Sequence, residues 1–100
     1  MNGSEFWEQN EVNFGEKQKG SKSKATFKYT GDGEIATFPS GKLGIFTGCW
    51  CNDFEWDAEK RELTVIMLKK KKGPTIKYIT IIIDEPSGTR RNDFLKVVYE

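Results

Sequence analysis

The chain has 100 residues, 36% hydrophobic and 31% charged, with 16 basic residues against 15 acidic ones for a net charge of +1. That is one domain's worth of foldable sequence near the small end of self-sufficient folding, and it excludes wholesale disorder. The balanced charge excludes a global field toward DNA or membranes, and the lack of any histidine removes the commonest general base and metal ligand together.

At the N-terminus, "GSEF" at 3–6 is compatible with a cloning scar, so residues 1–10 are read only as an arm or first strand. No basic region leads into an apolar run there, so no export signal is expected. "EVNFG" (11–15) reads as a short strand, and the lysine-rich "EKQKGSKSK" (16–24) as a surface loop. "ATFKYT" (25–30) alternates Ala25, Phe27 and Tyr29 with polar residues, the period of a half-buried strand. "GDG" (31–33) signals a tight turn, "EIATF" (34–38) extends again, and Pro39-Ser40-Gly41 breaks it.

"LGIFTGCWC" (43–51) is a further apolar stretch, "FEW" (54–56) a short extended piece and "DAEKRE" (57–62) an acidic turn. "LTVIML" (63–68) and "IKYITIIID" (76–84) are the strongest strands, rich in β-branched residues, and "KKKKGPT" (69–75) between them predicts a hairpin through Gly73-Pro74. "EPSGTRRND" (85–93) is a loop and "FLKVVY" (94–99) the last strand. The longest apolar cluster, "ITIII" (79–83), is too short to span a bilayer. About seven short strands with turn signals every 8–12 residues predict a single all-β domain over 1–100, an antiparallel β-sandwich. Phe14, Phe27, Tyr29, Leu63, Val65, Ile79 and Ile81 are its expected core.

The only cysteines, Cys49 and Cys51, would share one face of a strand with Trp50 on the other. Their Cα atoms would stand about 6.5–7 Å apart, at the limit of disulfide geometry. Two thiolates with Asp53 fall short of a zinc site. Buried packing is the favoured reading, ahead of redox or intermolecular bonding and ahead of a metal, and no cofactor is expected.

"VNFG" (12–15), "TFKYTGDGEI" (26–35), "GCWCN" (48–52), "RELTV" (61–65) and "IKYITI" (76–81) follow one another as an ordered set. That set resembles a family of immunoglobulin-like domains of unknown function in bacteria and their phages, marked by a Ser-Cys-Gly-Cys-Thr signature between such strands and akin to the ASH/Hydin and PapD-type sandwiches. Gly48, Trp50 and Asn52 depart from the signature. The resemblance implies an immunoglobulin-like fold and transfers no catalytic residue. Bacterial relatives of this type are typically exported, which turns the expectation here toward a phage.

Lys69, Lys70, Lys71 and Lys72 would project as a cationic knob at a hairpin tip. The knob could touch phosphates or an acidic protein, or simply guard "ITIII" against edge pairing. Arg90 and Arg91 would lie at the opposite end of strand 76–84. Trp7 and Trp50 are the other candidates for partner contact. No nucleophile elbow or phosphate-cradling loop is present, so the sequence points away from an enzyme. It points toward a structural or adhesion protein, with a virion accessory part (capsid decoration, neck or tail attachment) first. A cytoplasmic protein-interaction module comes second, and a weak nucleic-acid binder through the lysine loop third.

Overall fold

Residues that alternate in the sequence alternate between core and solvent in the fold. A computed structural model describes residues 6–48 and 50–100. Its strands are β1 (Glu11–Asn13), β2 (Lys22–Lys28), β3 (Glu34–Ile35), β4 (Ile45–Phe46), β5 (Cys51–Asp57), β6 (Glu62–Leu68), β7 (Thr75–Asp84) and β8 (Arg90–Tyr99). The protein is all-β, with two sheets arranged as a β-sandwich. One sheet has the order β2-β6-β5; the other runs β1-β8-β7-β3, with β4 also on β7. The odd-numbered residues of β2, β6 and β7 face inward, and Phe27, Leu63, Val65, Met67, Ile79, Ile81 and Ile83 are sealed from water. Of the expected core only Phe14 is half-buried, packed at the rim against Tyr99.

Several elements differ from expectation. β2 starts at Lys22 inside the predicted loop, because Ser21 accepts a bond from the Lys69 amide and Ser23 continues the inward alternation. β1 runs parallel to β8, so the sandwich is not wholly antiparallel. β3 and β4 pair with consecutive stretches of β7, at Ile83–Asp84 and Thr80–Ile81, as one edge strand interrupted by a looped-out turn at 37–43. Gly44 is needed where that strand resumes, since a Cβ there would stand 3.0 Å from the Ile82 Cβ.

The largest correction concerns 69–74. β6 and β7 lie in different sheets, so this segment crosses between layers and is no hairpin turn. The physical reason is that both strands bury apolar faces, and two such faces are satisfied best across the sandwich from one another. β7 pairs instead with β8 through all ten residues of each, Thr75↔Tyr99 to Asp84↔Arg90. The segments at 69–74 and 85–89 stand at opposite ends of β7.

The edges of the three-stranded sheet are blunted. β2 carries exposed Lys22, Lys24 and Lys28, and its far end is covered where Glu8 N–H bonds to Lys28 O and Thr30 N–H to Phe6 O. β5 has a register shift between Cys51 and Asp53, and the Asp53 carboxylate accepts the Phe54 N–H. Lysines and bulges on an edge oppose pairing with another chain.

One polar cluster fastens the N-terminal arm to both sheets. The Asp93 side chain on β8 is sealed from water. Its Oδ1 accepts Arg91 Nε at 2.8 Å and its Oδ2 accepts Trp7 Nε1 at 2.8 Å. Arg91 also donates to the Tyr29 hydroxyl at 2.8 Å, pairs with Glu85 at 3.2 Å and lies over the Phe6 ring. Burial opposes the charge on Arg91, but the bonds to Asp93 and Tyr29 outweigh it and hold its pKa above the ordinary arginine value. From the other side, Arg61 covers the Tyr29 ring and donates to the Gly31 and Gly33 carbonyls.

Removing one member of such a cluster strands the others. Asp93→Ala leaves Arg91 with Glu85 as its remaining carboxylate and the buried Trp7 indole N–H without its acceptor, and is expected to cost about 3 kcal/mol. Trp7→Phe removes one hydrogen bond and part of a ring, for about 1–2 kcal/mol. Urea denaturation monitored by circular dichroism measures both, and the prediction fails if Trp7→Phe proves the more damaging.

Candidate interaction surface

The tryptophans do not form a surface. Trp7 is 3% exposed, tilted against Tyr29 with ring centroids 5.0 Å apart, its edge toward Trp56. Trp50 is 5% exposed and packs on Tyr99, with the Lys77 ammonium 4.7 Å above its ring. The buried Asp93 carboxylate accepts the indole N–H, so the polar edge of Trp7 is satisfied inside the fold and its ring is not offered to a partner. Cys49 lies outside the described residues, so the reading of the cysteine pair as packing lies outside them too.

The lysine run splits. Lys70, Lys71 and Lys72 are exposed, as expected of a loop. Lys69 is not part of any knob, being 1% exposed. Its amide bonds to Ser21 O, its carbonyl accepts the Gly20 N–H, and its ammonium donates to Lys17 O at 2.8 Å while facing the Tyr99 ring. Because the segment crosses from one sheet to the other, its first residue is pulled under the neighbouring loop.

A different surface emerges on the outer face of the larger sheet. Ile76 is 53% exposed, Tyr78 57%, Phe46 53% and Phe94 38%. The register sets them in rows: Phe46, Thr80 and Phe94 lie side by side across β4, β7 and β8, and Tyr78 stands beside Lys96 with Ile76 beside Val98. Phe38, on the looped-out turn, stacks on Phe46 at 6.3 Å. The signal for this face was present in β7, which is apolar at both parities: Ile79, Ile81 and Ile83 on one side, Ile76, Tyr78 and Ile82 on the other. Such a strand reads as covered on both faces, and a two-layer sandwich covers only one.

Beside this face, Phe38, Leu43, Ile45, Phe46 and Phe54 line a groove of about 430 Å³ between the edges β4 and β5. Among the described residues, no group of three or more histidines, cysteines or carboxylates is placed to hold a metal ion. No helix among the described residues is long and apolar enough to cross a membrane. Comparison with protein-family models, curated proteins and solved structures finds no match to this chain.

Tyr99 supplies a separate test of the packing beneath Lys69. Its hydroxyl is buried with no hydrogen-bond partner among the described residues, and burial raises its pKa above the ordinary 10.0. The unfolded chain therefore loses this proton first, so the stability tied to the neutral phenol is complete below the ordinary value and declines as pH rises toward the folded one. Tyr99→Phe is expected to match or exceed the parent by up to about 1 kcal/mol near neutrality, and to soften the alkaline loss. Denaturant midpoints at neutral pH and at about pH 10.5 would show it. A destabilised variant at neutral pH would mean the hydroxyl has a partner.

Proposed function

We propose that the chain is a non-enzymatic, immunoglobulin-like sandwich that works by association with other subunits of a larger assembly, with a phage particle as the leading setting. The observation that carries this reading is the row of aromatic and aliphatic side chains on the outer face of β4, β7 and β8. Isolated exposed apolar residues are ordinary, but several large apolar side chains exposed together on one outer face of a sheet mark a surface that another protein covers.

The immunoglobulin-like part of the proposal is supported by topology. With β3 and β4 counted as one interrupted strand there are seven among the described residues, and β2, β6 and β5 form one sheet. β8, β7 and the interrupted strand, with β1 beside β8, form the other, the grouping of B, E and D against G, F and C in immunoglobulin domains. A non-enzymatic role is supported by the absence of histidine and by the buried Asp93 and its partner Arg91 being engaged in holding the arm. The phage setting rests on the ordered strand motifs around the cysteines.

A second reading, an interaction module that captures an extended peptide, draws on the groove between β4 and β5. There Phe54 and Phe46 offer apolar walls beside a strand edge.

Light scattering on the purified chain, over rising concentration and with or without reductant, separates these readings. Self-association indifferent to reductant is expected, and Phe46→Glu or Phe94→Glu should abolish it, since a charge cannot be buried unpaired in an apolar contact. A monomer at every concentration would move the assignment to the peptide-binding module. An oligomer that dissolves on reduction would assign association to the cysteines and sink the outer-face reading.

A further inference from the structure

Two lysine-rich stretches about fifty residues apart in sequence meet at one end of the sandwich. The loop at 14–21 and the crossover at 69–74 are joined by the Gly20 N–H to Lys69 O bond and the Lys69 N–H to Ser21 O bond. Between them lies a cleft of about 660 Å³, lined by Lys17, Lys19, Lys69 and Lys72 along with Glu16, Glu100, Gly73 and Pro74. Although the whole chain carries only +1, this cleft gathers four ammonium groups against two side-chain carboxylates.

The ammonium of Lys69 sets the cleft apart from an ordinary charged rim. Lysine is almost never this buried unless it is paired. Yet no carboxylate among the described residues lies within 4.0 Å of it. Its contacts are the Lys17 carbonyl at 2.8 Å and the face of Tyr99, 5.4 Å from the ring centroid. An ammonium has three N–H donors, and a single carbonyl leaves its charge uncompensated.

We propose that this cleft binds a ligand carrying two or more phosphate groups, with Lys69 as the fixed charge at its floor and Lys17, Lys19 and Lys72 closing on the phosphates from the rim. Phosphate is favoured over carboxylate by the residues present. The cleft offers several lysine point charges and no arginine fork, and bidentate carboxylate recognition depends on the fork. A phosphoryl group also carries more charge per group than a carboxylate, so it gains more from convergent ammonium groups. Free polyphosphate and a nucleic-acid backbone share this chemistry.

The test is isothermal titration of the full chain at low ionic strength with inorganic tripolyphosphate, with a short oligothymidylate and with hexaglutamate. The parent is expected to bind tripolyphosphate, with an affinity that falls as salt is added. Lys17→Gln/Lys19→Gln/Lys72→Gln should weaken binding about tenfold or more, whereas Lys28→Gln/Lys42→Gln/Lys60→Gln, an equal charge change at exposed positions elsewhere, should leave it within about twofold. Lys69→Met keeps the buried stem and should also lose the ligand. If that variant fails to fold, the rim variant decides the matter. Binding of oligothymidylate as well would identify the backbone as a source of the phosphates, and binding of tripolyphosphate alone would identify a free polyphosphate. The proposal is overturned if tripolyphosphate does not bind, if the two triple variants weaken it equally, or if hexaglutamate binds as tightly.

Discussion

A carboxylate with no access to water governs how this chain closes. Asp93 lies among apolar side chains on β8, and an ionised group there is tolerable only with its lone pairs filled. Arg91 fills one side and Trp7 the other, and through them the constraint spreads. Arg91 fixes the Tyr29 hydroxyl, which ties β2 in the smaller sheet to β8 in the larger. Trp7 brings the arm across the end of β2, where its backbone closes the ladder. Arg91 and Asp93 share one face of β8, so a shift of β8 by one residue would turn both to solvent and leave the Trp7 indole and the Tyr29 hydroxyl without them; the cluster thus pins the register of the longest hairpin.

Much of the sandwich was legible because a strand buried on one face must alternate. Ala25, Phe27 and Tyr29 announced β2, and the inward isoleucines announced β7. What escaped depended on partners distant in sequence. Gly73 and Pro74 turn a chain equally well within a sheet or between sheets, so local residues could not reveal that β6 and β7 belong to different sheets. Nor could they reveal that β1 would lie parallel on β8. Trp7 resembled a contact residue because its acceptor, Asp93, lies 86 positions away.

The same distance explains the candidate surfaces. Lys69 looked like its three neighbours in a basic run, and only the crossover separates a sealed ammonium from exposed ones. The outer face was within reach of the sequence, since β7 is apolar at both parities. That pattern signals a strand covered on two sides; the fold supplies one cover, and the proposed association supplies the other. The cleft could not have been anticipated from charge balance, because a net of +1 says nothing of how cations and anions are distributed over the ends of a molecule 43 Å long.

The blunted edges of the smaller sheet bear on the geometry of any association. Lysines along β2 and the register shift in β5 oppose the addition of a strand on either flank, so the sheet has no way to lengthen sideways. Contact through the flat face of β4, β7 and β8 consumes that face once. Two copies meeting there back to back would form a closed pair related by a twofold axis, whereas another kind of subunit would cover the same face as one contact of a larger assembly. In either arrangement the isoleucine-rich β7 would be covered through its face and not by adding a strand to the smaller sheet.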